Sequence, residues 1–334
     1  MRIFVPLLIA LGCTACGGED GPEPPKDGWQ LVFEDLPGAL ISVSGTSSTD
    51  IWAVGGNPGD GSGAFVLHFD GTSWKRVSPG VDVDLWWVHA FAGGPAFFGG
   101  ANGTILKYED GSFQPMTTPS QATVFGIWGT APDKLWAVGG TPTGSGNQFI
   151  WRYDGTQWTD APGQPSVAIS SYFKVWGKSD SDVRVVGMDG VILHWDGAVF
   201  TQASSPVTQR LLTLHVDGDG PWTAVGGNAR PVILEDDGSG WKDVTPSELD
   251  RAMIGVRMQG SEGWAVGNVG TVLHRGEGGW SEEQHGIDVF GDFHSVFVDD
   301  AGGVWAAGGD IAALPLVNGI LLHKGKHVPS GKYQ

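Results

Sequence analysis

Short apolar runs, each bounded by Gly, Asp or Ser, follow one another from Trp29 to about His323, and their order repeats. The clearest copy reads Asp50-Ile51-Trp52-Ala53-Val54-Gly55-Gly56 and then Val66-Leu67-His68-Phe69-Asp70-Gly71-Thr72-Ser73-Trp74. The glycine that ends the first of these runs recurs at Gly55, Gly99, Gly139, Gly187, Gly226, Gly267 and Gly308, at intervals of 44, 40, 48, 39, 41 and 41 residues. A period near 40 marks a propeller or solenoid, in which each repeat buries its apolar surface against its neighbours. No stretch carries the 3.6-residue periodicity of a helix.

Each repeat holds four runs. The first is apolar and aromatic, as in Leu40-Ile41-Ser42-Val43-Ser44, Val124-Phe125-Gly126-Ile127-Trp128 and Tyr172-Phe173-Lys174-Val175-Trp176. The second is Trp-Ala-Val-Gly or a variant, and the third resembles Val191-Ile192-Leu193-His194-Trp195. The fourth opens on an aromatic residue after Asp-Gly, a strong hairpin turn. Four antiparallel strands make one propeller blade.

The fourth-run aromatic is Trp74, Phe113, Trp158, Phe200, Trp241 and Trp280 in the first six repeats. The seventh stops at Ile320-Leu321-Leu322-His323-Lys324-Gly325 without one, while Asp27-Gly28-Trp29-Gln30-Leu31-Val32 stands unattached at the other end. The expectation is an all-β, seven-bladed β-propeller over residues 27–328, closed by the N-terminal strand with Trp29 buried in the seventh blade, and a tail at 329–334. Closure of this kind removes two unpaired sheet edges.

Composition adds one exclusion. With 37 acidic against 19 basic residues the formal charge is -18, a field that repels phosphate backbones and argues against nucleic acid as a partner. The two cysteines add an address. Ile3 to Leu11 is an apolar run of signal-peptide length, too short to span a bilayer, and it ends in Gly12-Cys13-Thr14-Ala15-Cys16. Small residues before a cysteine resemble the lipobox of bacterial lipoproteins. Residues 1–16 then read as a lipoprotein signal peptide with Cys16 as the acylated residue and Cys13 as the alternative. Residues 17–26 (GGEDGPEPPK) read as a flexible tether that reaches roughly 35 Å when extended. By resemblance to enterobacterial lipoprotein sorting, glycine after Cys16 implies a lipid anchor in the outer membrane.

The repeats resemble the Asp-box and BNR class, and most of all the propeller of photosystem II stability/assembly factors, whose repeats also run Val-Gly, Gly-x-Ile and Asp-Gly-x-x-Trp. That resemblance implies a propeller and, as one functional alternative, an assembly or stability factor for an envelope complex. In this chain Asp and Gly are adjacent, and the net charge is strongly negative.

Candidate chemistry is sparse. His68, His194, His274 and His323 occupy one repeat position on different blades, so they cannot converge on one ion, and Asp217-Gly218-Asp219-Gly220 reads as a solvated turn. Neither a metal nor a cofactor is expected. A sialidase-like glycoside hydrolase would need an arginine cluster, a tyrosine nucleophile and an acid. No such set is fixed by the repeat, and HExxH, G-x-S-x-G and Walker patterns are absent from the sequence.

Loop length is more informative. The turns between third and fourth strands are nearly uniform, whereas those between second and third strands vary from Met188-Asp189-Gly190 to the Asp310–Val317 loop. One face is therefore uniform and the other individual, which is where function is usually grafted. The reading is a non-catalytic, surface-anchored propeller that binds a protein or glycan partner through its variable face. Alternation along the innermost strands selects Trp87, His89, Lys174, His215 and Arg257 as partner-binding residues bordering the channel.

Overall fold

The computed structural model describes residues 28–141, 147–228 and 230–334. The expected signal peptide and tether, and both cysteines, lie outside these residues. Twenty-eight strands form seven four-stranded sheets among them, each antiparallel throughout. The chain is an all-β, seven-bladed propeller, as the repeat implies.

Blade 1 runs outward through Leu40–Ser47, Asp50–Gly55, Val66–Phe69 and Trp74–Arg76. The innermost strands of blades 2 to 7 are Leu85–Ala90, Thr123–Ala131, Tyr172–Ser179, Leu211–His215, Met253–Gln259 and Asp292–Val298. Blade 7 takes its outermost strand from the other end of the chain, since Trp29–Leu36 pairs with Val317–Lys324 in the register Trp29 to Lys324, Leu31 to Leu322 and Phe33 to Leu321. Trp29 is only half-buried, in contrast to the expectation. Val32, Phe33 and Leu36 carry the buried surface of that strand instead. The Trp29 indole reaches across to blade 6 and donates to Glu283 Oε1 at 2.7 Å, where Lys324 Nζ also binds at 2.6 Å.

The core is divided among the blade interfaces. Seven apolar clusters each straddle two adjacent blades: Trp128, Trp136 and Ile150 of blade 3 pack with Val175, Val185 and Leu193 of blade 4, for example. At the ring seam, Val43 and Leu67 of blade 1 meet Phe297, Trp305 and Leu321 of blade 7. A propeller blade is thus buried on both faces by its neighbours, and this matters for the reading of the channel.

The recurring glycine has a steric cause. A Cβ added at Gly55, Gly139, Gly226, Gly267 or Gly308 would collide with a main-chain carbonyl at the start of its own blade's innermost strand, that of Ala39, Thr123, Arg210, Ala252 or Asp292. The innermost strand carries a β-bulge directly beside that glycine, with a register break between Leu40 and Ser42 and its counterpart in every other blade. Close approach of a second backbone is a standard reason for glycine in a strand.

The four aligned histidines lie where their spacing implies, one per blade. His68 stacks on Trp52 at 3.9 Å between ring centres, His323 on Trp305 at 4.0 Å and His274 on Trp264 at 4.6 Å. Burial pushes His323 down to about 4, opposed by the nearby Asp299 carboxylate. An unfolded His titrates near 6.5, so the folded state resists protonation between pH 6.5 and 4. Stability is therefore undiminished above pH 6.5 and falls as pH is lowered towards 4. His323, 3 % exposed, accounts for roughly 3 kcal/mol of that loss at ~1.4 kcal/mol per unit. Thermal melts of His323→Gln should show a shallower decline over this window than the parent, and parallel curves would refute the assignment.

Candidate functional site at the mouth of the channel

The bulge decides what faces the channel. Ile41, Trp86, Phe125, Phe173, Leu212, Ile254 and His294 are the extra residues of the seven innermost strands, one from each blade, at the end of the strand that opens on the variable loops. Six of them, all but Ile41, line a cavity of about 260 Å³ with Lys174, Met188, Arg210 and Ile311. Trp86 meets Phe125 edge-on at 5.3 Å and His294 at 6.1 Å, and Phe125 meets Phe173 at 5.5 Å. Ile41 is covered by Leu316 of the long blade-7 loop. The result is an apolar, largely aromatic cup at the channel mouth.

Lys174 is the selected residue that reaches this cup. Its side chain is only 4 % exposed, and its Nζ stands 3.2 Å from the centre of the Trp87 ring and 3.4 Å from the Phe125 carbonyl oxygen. Burial drives the amine well below its usual range. Trp87 therefore acts from beneath, as a platform for Lys174, and its indole donates to Ile127 O at 2.6 Å.

The other three gather deeper, around Trp176. His89 lies 6.0 Å from the Trp176 ring, His215 lies 4.4 Å from it, and the Arg257 guanidinium is held between Trp176 at 5.2 Å and Phe297 at 5.0 Å. Desolvation pushes His89 down to about 4, helped by the Arg257 charge, and lowers Arg257 to about 10 against the pull of Asp217. His215 is buried, and its Nδ1 accepts the Met258 amide at 3.1 Å.

These positions share a structural task. The inner edge of each blade exposes unpaired backbone groups, and side chains of the preceding blade satisfy them. Ser42 Oγ accepts Val88 N–H, Trp176 Nε1 donates to Val216 O, Ser295 Oγ accepts Val43 N–H and His294 Nδ1 donates to Ile41 O. Lys174 reverses the direction, from blade 4 back to blade 3. Alternation correctly groups the third and fifth positions on one face, but in a propeller that face looks towards the next blade. At Gly126 and Gly255 the neighbouring innermost strand leaves little or no room for a side chain.

The ring of bulged residues was not singled out from sequence, although a signal for it exists. Each innermost run opens with a doublet that breaks alternation: Leu40-Ile41, Leu85-Trp86, Val124-Phe125, Tyr172-Phe173, Leu211-Leu212, Met253-Ile254 and Phe293-His294. In six of the seven blades two successive large residues before a small or polar one mark the bulge; in blade 2 the residue that follows is Trp87.

Beyond the cup, the variable face exposes three apolar side chains on elements of blades 6 and 7. Phe290, in the link into blade 7, is 93 % exposed; Leu314, in the long blade-7 loop, 76 %; and Val269, in the tight blade-6 turn, 53 %. Val269 also adopts φ +52, a left-handed conformation costly for a β-branched residue. The same turn carries Asn102 at φ +56 in blade 2 and Asp189 at φ +57 in blade 4, residue types that tolerate it. The Val269 amide is held by Asp292 Oδ1 at 2.9 Å.

No family model and no curated protein sequence matches this chain. Solved structures do. YCF48 bound to D1 peptide superposes with a TM-score of 0.67 at 17 % identity, covering 90 % of this chain and 96 % of that one. YCF48 from Cyanidioschyzon merolae gives 0.65 at 14 % identity over 89 % and 98 %. A streptogramin B lyase gives 0.65 at 16 % identity over 88 % and 97 %. At these identities the likeness is one of fold.

Proposed function

We propose that this chain is a binding propeller that docks a protein partner on its variable face, centred on blades 6 and 7. The observation that carries the reading is the exposure of three apolar side chains on this face, Phe290, Leu314 and Val269. A solvated turn gains nothing from valine in a left-handed conformation, whereas a contact surface gains an apolar knob. A peptide-bound YCF48 among the fold neighbours favours a protein over a glycan, and with it an assembly or stability role in an envelope complex as the narrower form of the reading. The cup is lined by aromatic, aliphatic and cationic residues without a carboxylate or tyrosine, which fits binding better than glycoside hydrolysis.

Phe290→Asp with Leu314→Asp is expected to weaken capture of that partner more than tenfold, on the order of 1.4 kcal/mol or more, while the melting temperature stays within about a degree. Equal capture by the double variant would contradict the docking site.

The membrane part of the proposal rests on the apolar run and the cysteines behind it. A diacylated Cys16, or Cys13 in its place, would hold the propeller at the outer membrane, since two or more chains anchor stably where one does not. Cys16→Ala should abolish fatty-acid labelling and release the protein into the soluble fraction. Label lost only on Cys13→Ala would move the anchor to the other cysteine.

A further inference from the structure

The cup carries a charge pattern opposite to that of the whole chain. Against a net charge of -18, its lining holds Lys174, Arg210 and His294 and no acidic residue. Arg210 is held by one hydrogen bond, from Nε to Gly227 O at 3.1 Å, which leaves the far end of its guanidinium uncommitted. His294 is anchored as a donor through Nδ1 to Ile41 O at 2.6 Å, so in the neutral ring the other nitrogen is an acceptor and the cup's anion donors are Lys174 and Arg210. Among the described residues, no carboxylate lies within 4.0 Å of Lys174 or Arg210, although Arg184, Arg275 and Lys324 are each paired within that distance. The acidic residues nearest the strand starts are committed elsewhere, Asp84 to the Asn57 amide and Asp292 to the Val269 amide.

A buried amine without a counter-ion is costly, and burial lowers both Lys174 and Arg210; His294 is pushed down to about 4, by burial first and by the Lys174 and Arg210 charges as well, so it stands neutral beside them. An anion in the cup would relieve the two cations, Lys174 and Arg210. The surrounding walls are Trp86, Phe125, Phe173, Leu212, Ile254 and Ile311, which would exclude water and grip an apolar body. The cavity volume of about 260 Å³ holds one side-chain-sized group.

We propose that the channel mouth binds a carboxylate carried on a single aromatic or branched apolar group, with Lys174 and Arg210 receiving the carboxylate and the ring of bulged residues holding the apolar part. Such a ligand could be a free acid or the last residue of a peptide, which share this chemistry. The site stands whether or not the rim sector around Phe290 docks a protein.

The test uses 3-phenylpropionate as probe, titrated calorimetrically into the full chain. The neutral isostere 3-phenylpropan-1-ol should bind at least about tenfold more weakly, the scale of one charge-assisted hydrogen bond. Lys174→Met should remove that discrimination. Because Lys174 is buried, the half-exposed Arg210→Gln provides a second variant, expected to weaken the acid about tenfold and leave the alcohol unchanged. N-acetyl-Ala-Phe and its C-terminal amide distinguish the sources: a free-carboxylate dipeptide tighter than 3-phenylpropionate assigns the site to a chain terminus, and a weaker one to a free acid. Equal affinity for acid and alcohol, acid binding untouched by both substitutions, or no binding of the acid at all would overturn the proposal. Loss of partner capture in Phe290→Asp with Leu314→Asp, with acid binding intact, would show that the two sites are separate.

Discussion

A chain that begins at Glu34 is expected to lose its cooperative melting transition and to aggregate. The missing residues include Trp29, Val32 and Phe33 of the strand that completes blade 7, and their removal bares the edge of Val317–Lys324 over Gln30 to His323 and Phe33 to Leu321. Val32 and Phe33 are both buried, and burying one such side chain is worth about 1.5–3 kcal/mol. Their joint loss, on the order of 3–6 kcal/mol, is comparable with the whole net stability of a domain. The indole-to-Glu283 bridge between blades 6 and 7 goes with them, which leaves that carboxylate to Lys324 at 2.6 Å and the Trp264 indole at 3.4 Å. Exposed edges then offer a template for intermolecular pairing. Differential scanning calorimetry with size-exclusion chromatography reads both effects. A transition like that of the parent would show that the ring does not depend on its N-terminal strand.

The second large effect is expected at the repeat glycine. Gly139→Val should cost at least about 3 kcal/mol, because the added side chain would meet the Thr123 carbonyl and the Phe149 ring, and backbone cannot retreat as a side-chain tip can. Gly278→Ala, where a Cβ meets nothing within 4 Å, should change stability by less than about 0.5 kcal/mol. Denaturant melts of the pair separate a steric requirement from the general entropy of glycine. Similar costs at both sites would remove the explanation given for the period.

The repeat made the blade count and the ring closure legible because each depends on features with one physical meaning: Asp-Gly for a hairpin, and an aromatic residue missing at one end and present at the other. The channel was harder to read. Alternation places Trp87 and Lys174 on a common face with His89, His215 and Arg257, but a blade is packed on both faces, so facing away from one apolar column does not mean facing the channel. That outcome turns on a single extra residue in each innermost strand, the bulge at Ile41 and its counterparts, which shifts the parity of everything before Ser42. The rim sector was invisible for another reason. Phe290 and Leu314 lie in loops where hydrophobic residues have no pattern to break, and the peculiarity of Val269 appears only when its φ of +52 is set beside Asn102 and Asp189.

The central claim, that the variable face of blades 6 and 7 is the working surface, is tested most directly by site-specific photo-crosslinking in cells that make the protein. A benzophenone side chain is placed at Phe290 or Leu314, and for comparison at Thr72 or Thr156 in the Asp-Gly turns of the uniform face. The account predicts one discrete cross-linked protein from both rim positions, competed away by excess unlabelled propeller, and none from either turn. The same product from Thr72 or Thr156, with the rim positions silent, would contradict it.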